Sequence, residues 1–269
     1  MKDQSNLIAT SALFDLSSED GRKYSHNAIV ELFHAIQDFV RPKTFVEFGA
    51  FDATFSKRVR NMFPSSKVVA FEANPYNYQK FSSEFDFAQA QIEYKNLAVS
   101  DQDNASLSFQ IQRTRSGSET SQVKGDDSLY RRNVSDPHAG HTEIKYEVVS
   151  VDAIRLDTYL NPSQFGLDDF SAWIDVEGAL KQALSGASNT LSKTHSLIVE
   201  VEDRPYWTGQ WLANDVEKYL KSFGFEAVAR DYEFEHQYNI IYVKPEVISH
   251  YMFNHAMIQY FTNISRKRL

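Results

Sequence analysis

From Thr44 to Val243, short runs rich in β-branched and aromatic residues alternate with stretches whose apolar residues recur at helical spacing. That alternation constrains this chain more than any other feature. Repeated β–α–β units bury their apolar faces as a parallel sheet covered by helices on both sides. The strand-like runs are "TFVEFGA", "KVVAFEANP", "IEYKNLAVSD", "IKYEVVSV", "DDFSAWIDVEGA", "HSLIVEVE" and "NIIYVKP". Helical spacing is clearest in "SHNAIVELFHAIQDFV", where Ile29, Leu32, Phe33, Ile36 and Val40 share a face, Ser25 is a candidate cap and Arg41-Pro42 a stop. Residues 53–62, "YNYQKFSSEFD" and "DVEKYLKSFGF" suit further helices. The expected fold class is α/β, with a doubly wound and mostly parallel sheet.

Three stretches flank or interrupt this pattern. Residues 1–43 read as an N-terminal helical cover, 44–244 as the sheet domain, and 245–269 as an aromatic helix ending in the basic tail "RKRL". The tail's cations suit the negative end of a helix dipole, with weak membrane-surface contact as the other reading. Residues 113–143 are polar and aperiodic, too long for a casual connection, and read as a lid or substrate loop. A net charge of −8 argues against nucleic acid as a partner, and the lack of cysteine excludes disulfides and thiolate chemistry. No apolar run approaches the ~20 residues of a membrane span, and the first residues lack a signal-peptide pattern, so a cytoplasmic location is expected.

Ligands of doubly wound sheets bind at the carboxyl ends of the strands. The first strand ends in Glu47, Gly49 and Ala50, followed by Phe51 and Asp52; small residues there let a ligand approach backbone N–H groups. The second ends in Glu72, Ala73 and Asn74, and its carboxylate suits the two hydroxyls of a ribose. A dinucleotide fingerprint G-x-G-x-x-G is absent, since Phe51 and Thr54 stand where its later glycines would be, so an adenosine ligand without a diphosphate fits better than NAD. Asn96 and Ala98 lie in "NLAVSD", where an adenine can slot beside Asp101. In "WIDVEGA", Asp175 and Glu177 set two carboxylates one residue apart at a strand-to-helix junction.

The ordered set "FVEFGAFDATFS", "VVAFEANP", "NLAVSD", "RLDTYL", "IDVEGALKQALSGA" and "LIVEVE" resembles the FkbM family of methyltransferases. The resemblance implies a class I methyltransferase fold, S-adenosylmethionine as cofactor, and O-methylation of a hydroxyl on a sugar, glycan or other small natural product. By position it implies that Glu47, Gly49 and Ala50 lie along the methionine part, Glu72 holds the ribose, Ala98 flanks the adenine and Asp175 faces the methyl group. Two positions depart from the family pattern: Ala53 replaces a frequent glycine and Leu180 a frequent acid. These departures motivate the alternative of a non-catalytic adenosine-binding module.

Methyl transfer to a hydroxyl needs in-line alignment and a group to take the proton. Asp175 and Glu177 are candidates for that base, or for holding a divalent metal such as magnesium. His138, with His141, is a second candidate base in the polar loop, and His236 a third. Arg131 and Arg132 could grip an anionic acceptor. Trp173, Trp207 and Trp211 read as core or rim aromatics, with Tyr206 and Trp207 also placed to stack on a sugar.

Overall fold

The computed structural model describes residues 7–135, 143–161, 163 and 169–266 of the 269-residue chain. The first long helix, α1, spans Glu19–Val40; Ser18 caps it by accepting from the Gly21 N–H, and Glu19 and Asp20 sit against its positive end. Ser25, the cap expected from sequence, instead lies buried about two turns further in, where its hydroxyl donates to the Arg22 carbonyl at 2.6 Å. The helix ends where Arg41 turns left-handed (φ 53°) before Pro42. Ile29, Leu32, Phe33 and Ile36 form its buried stripe.

Seven strands build the main sheet: β1 (Thr44–Phe48), β2 (Lys67–Phe71), β3 (Ile92–Lys95), β8 (Phe170–Ile174), β9 (Thr194–Glu202), β10 (Glu226–Arg230) and β11 (Gln237–Val243). Numbered along the chain within the sheet, their spatial order is 3-2-1-4-5-7-6. All contacts from β3 to β9 are parallel, and β11 enters antiparallel between β9 and β10. This is a doubly wound α/β arrangement with one antiparallel strand inserted near its edge. The middle strands are buried on both faces, which is why β1 reads as unbroken apolar sequence around its single glutamate.

Helices α2 (Thr54–Met62) and α3 (Pro75–Glu84) follow β1 and β2. Asn74 caps α3 by accepting from the Tyr76 N–H at 2.9 Å, and Pro75 takes the first helical position, where no N–H is needed. Helix α4 (Leu156–Leu160), α5 (Leu180–Ser185), α6 (Ser188–Ser192) and α7 (Ala213–Ser222) cover the other side, and α8 (Pro245–Ser249) and α9 (Tyr251–Arg266) close the chain. Helix α9 buries Phe253, Ala256, Tyr260 and Ile264 in the same cluster as the α1 stripe, and leaves Tyr251, Ile258 and Phe261 exposed. Among the described residues no helix is long and apolar enough to cross a membrane.

A second sheet rises from the carboxyl edge. It contains β4 (Ala98–Val99), β5 (Ala105–Arg115), β6 (Ser118–Glu119) and β7 (Ile144–Ile154), in the order β4-β7-β5-β6. The polar stretch that begins at residue 113 therefore opens as the end of β5, paired with β7 as far as Arg115↔Ile144.

Candidate active site

Strands β1, β2 and β8 are neighbours and turn at one edge. After β1 the backbone is left-handed at Gly49 (φ 71°), Phe51 (φ 48°) and Ala53 (φ 58°). A Cβ on Gly49 would lie 1.6 Å from the Asp175 carbonyl oxygen, so the turns after β1 and β8 touch backbone to backbone. The Asp175 N–H confirms that contact by donating to the Phe48 carbonyl at 3.0 Å. Ala53 accounts for its own departure from the family pattern: the position is left-handed, which glycine adopts freely and alanine at a cost of about 1–2 kcal/mol. Glu177, after β8, is likewise left-handed (φ 44°). Such outliers gather where a site over-determines its backbone.

These turns border a recess of about 220 Å³. Gly49, Phe51, Glu72, Ala73, Asn74 and Ala98 line it, and Asp175 and Glu177 form its far wall. Glu72 is held by two backbone donors, Phe51 N–H to Oε2 and Asn74 N–H to Oε1, both at 2.7 Å. Burial pushes its carboxyl up to about 7. The other expected residues support these turns from outside the wall. Glu47 is buried and accepts the Ser56 N–H at 2.8 Å, capping the first turn of α2, with burial raising it to about 8. The Ala50 N–H donates to the Phe71 carbonyl at 2.8 Å, joining the β1 and β2 ends. Asp52 accepts from Thr54 N–H at 3.0 Å, and the Asn96 amide donates to the Glu72 carbonyl at 2.8 Å.

Several wall residues carried no signal in the sequence. Phe48, Phe71, Leu97 and Val99 make the floor apolar, and Phe109 of the second sheet and Leu129 of the segment after β6 close it. The segment after β6 crosses the recess as a strap. Asn77 Nδ2 donates to the Lys124 carbonyl at 2.8 Å while the Lys124 N–H returns a bond to Asn77 Oδ1 at 3.0 Å. Asp127 accepts from the Gln112 N–H and from Lys124 Nζ, each at 2.8 Å. Lys124, Gly125 and Asp127 thereby reach the cavity wall. His138 and His141 lie outside the described residues. His236 pairs with Asp203, Nδ1 to Oδ1 at 2.8 Å, away from the wall. Trp173 and Trp207 are buried, and Leu180 is core, 1% exposed.

Behind Asp175 stands an acidic group whose sequence trace was the alternating "EVE" at the end of β9. Asp175, Glu177 and Glu200 offer carboxylate oxygens within 4.8 Å of one another. Burial raises Asp175 to about 6, opposed by a hydrogen bond with Glu200 and by His26. Burial and the Asp175 charge raise Glu177 and Glu200 well above the usual range, and raise Glu202 to about 7. Carboxyls this close cannot all ionise, so Asp175 and Glu200 share a proton. Arg132 offsets part of the charge on Glu177 and Glu202, with its guanidinium 3.9 Å over the Trp207 ring. Arg131 instead donates to Gln110 Oε1 at 3.1 Å. Three hard oxygens at this spacing are a ligand type that magnesium accepts.

Residues 41–227, well over half the chain, match the methyltransferase FkbM domain. The chain belongs to the FkbM methyltransferase family, a class of S-adenosylmethionine-dependent enzymes. No curated protein matches it in sequence. Among solved structures it is similar to the magnesium protoporphyrin IX methyltransferase of Synechocystis PCC 6803 with bound S-adenosylmethionine, at 10% identity over 86% of this chain and 84% of that one, TM-score 0.43. A protein of Pyrococcus horikoshii OT3 aligns at 10% identity over 86% of this chain and 94% of that one, TM-score 0.41.

Proposed function

We propose that the chain is an S-adenosylmethionine-dependent O-methyltransferase whose acceptor is a hydroxyl on a sugar, glycan or other small natural product. The observation that carries this reading is the convergence of Gly49, Glu72 and Asp175 on one recess, with the acidic group directly behind it. The donor set fits the cofactor. Glu72, aligned by two backbone N–H groups, keeps lone pairs for the ribose hydroxyls. The apolar floor and Ala98 suit a purine, and the bare backbone at Gly49 suits the amino-acid end. Bound there, the cofactor supplies an electrophilic methyl group on a sulfonium.

The chain's own residues then align and deprotonate. Asp175 and Glu177 hold the acceptor hydroxyl in line, a task in which orientation supplies much of the rate. The shared proton between Asp175 and Glu200 keeps the wall from carrying the full charge of its four carboxyls. The strap through Lys124 and Asp127 shields the recess from water.

Calorimetric titration with S-adenosylhomocysteine, beside NAD and beside Glu72→Ala, tests the pocket. Micromolar binding of the nucleoside that is absent for NAD and lost in the variant is the expected result. Binding unaffected by Glu72→Ala would place the ligand elsewhere. Transfer of tritium from labelled S-adenosylmethionine to a panel of p-nitrophenyl glycosides then tests the acceptor class.

A further inference from the structure

We propose that His26 is the base that accepts the proton of the acceptor hydroxyl, with Asp231 as its positioning residue. This inference rests on the O-methyltransferase reading above. His26 lies 149 residues from Asp175 in sequence and carries no motif. The fold brings the two together through α1. The Ser25 hydroxyl accepts the Tyr232 N–H at 2.9 Å, which clips α1 onto the connection between β10 and β11. One residue along, His26 Nδ1 meets Asp231 Oδ2 at 2.9 Å.

Asp231 is built to hold that ring. It is fully buried, and its carboxylate accepts the Asn239 N–H at 2.9 Å and the Asn239 amide at 3.0 Å. Asn239 in turn pairs in register with Glu200, the residue that shares a proton with Asp175. The dyad and the acidic wall are therefore adjacent at one edge of the sheet. The His26 ring meets Trp173 edge-on at 6.3 Å, and Trp173, near the end of β8, precedes Asp175 by two residues. On its other side Trp173 stacks on Phe55 at 3.4 Å, which fixes the surface the imidazole rests on.

A carboxylate on Nδ1 fixes that nitrogen as the donor and leaves the Nε2 lone pair to take a proton, the arrangement of an oriented imidazole base. The ring side chain is 24% exposed while the Asp231 side chain is sealed, so the accessible part of the pair is the imidazole. The groups facing His26 are Asp231 and Glu233 from the β10–β11 connection and Asp175 from the turn after β8, with Lys23 of α1 set against Glu233. Burial favours the neutral ring, but the three carboxylates outweigh it and raise the ring above its usual value. As the acceptor oxygen forms its bond to the methyl carbon, the carbon–sulfur bond breaks with its electron pair going to sulfur. The hydroxyl proton passes to Nε2 and is later released to solvent. Asp175 orients the hydroxyl rather than removing its proton.

Two measurements test this. The first follows the histidine ring nitrogens of the ¹⁵N-labelled chain by NMR, with His26 assigned from His26→Gln. The expected result is a neutral ring protonated at Nδ1 and a titration above the usual value that falls in Asp231→Asn. A ring protonated at Nε2, or a titration unmoved by Asp231→Asn, overturns the dyad. The second is tritium transfer to the p-nitrophenyl glycoside panel. His26→Gln should lower kcat by about 10²–10⁴-fold with S-adenosylhomocysteine affinity unchanged. Asp231→Asn should move the acid limb of the kcat profile to lower pH. Wild-type kcat in His26→Gln overturns the proposal. If the wild type binds S-adenosylhomocysteine but methylates no glycoside, the acceptor class fails, and the NMR result still decides the dyad.

Discussion

Gly49→Ala removes nothing and adds one methyl group, which makes it a sharp test of how the β1 and β8 turns support the recess. The added Cβ would stand 1.6 Å from the Asp175 carbonyl oxygen, and the residue must keep φ near 71°. The left-handed conformation costs an L-residue about 1–2 kcal/mol. Forcing a methyl into a packed backbone contact adds about 1–3 kcal/mol as the two turns move apart. The sum is about 2–5 kcal/mol. With a urea m-value of about 3 kcal/mol/M for a chain this long, the unfolding midpoint should fall by about 1 M. Gly117→Ala is the internal control: its φ is 81°, yet nothing lies within 4 Å of its Cβ, so it carries the backbone cost alone. The two variants, unfolded in urea and titrated with S-adenosylhomocysteine, should differ in both readouts. Gly49→Ala should lose nucleoside binding, since Asp175 and the Phe51 N–H that holds Glu72 shift together, whereas Gly117→Ala should bind as the wild type does. Equal midpoints and equal affinities would refute the claim that backbone contact between the two turns shapes the pocket.

Asp175→Asn should leave S-adenosylhomocysteine affinity within a few-fold of wild type and lower methyl transfer at least about 100-fold, because the hydroxyl loses its orienting group; unchanged turnover removes Asp175 from the reaction. The ligand-free chain should lose stability as pH rises from 6.5 to 8. Burial raises Glu47, Glu72 and Glu202 to about 8, about 7 and about 7, so each keeps in the folded chain a proton that the unfolded chain has already released. His34 and His195, lowered by burial to about 4 and about 3, oppose the trend only near the low end of that window, where the unfolded imidazoles still hold part of a proton, and by less than the three carboxyls contribute. A Tm that climbs over the same range would contradict this account. Finally, EDTA should leave methyl transfer within about twofold, because the Asp175–Glu200 contact is held by a proton; loss of activity that magnesium restores would assign the three carboxylates to a metal instead.

The strand ends were legible because buried parallel strands announce themselves as apolar runs that stop abruptly. Gly49, Glu72 and Asp175 each follow such a run, and the structure sets all three around one cavity. Strand β10 left no such mark: "EAVAR" is a poor strand sequence, and it is drawn into the sheet by antiparallel pairing with β11 across a bulge. The second sheet was hidden for a related reason. Much of its β5–β7 hairpin is wet on both faces, so Arg113 and Arg115 read as loop residues while pairing in β5. Leu180 opens helix α5 and packs in the core cluster with Phe48 and Val199, so an apolar residue there serves packing. Nothing local could have joined His26 to Asp231, which are 205 residues apart and meet only because α1 docks against the β10–β11 connection. Sequence pattern reports burial and turning, and it is blind to pairs of polar residues assembled by topology.

The chain enters and leaves the second sheet at one place. Ala98 pairs with Ala153, the Ser100 N–H donates to the Ile154 carbonyl at 2.9 Å, and Asp103 accepts from the Arg155 N–H at 3.0 Å and the Thr158 hydroxyl at 2.7 Å. The hairpin leaves and re-enters the parent sheet there, and the strap bonds back to that domain through Asn77 and the Glu177 carbonyl. A descendant could lengthen, shorten or exchange that whole excursion without re-registering a single core strand. In this architecture the excursion is a cassette that can change while the strand ends beneath it stay as they are.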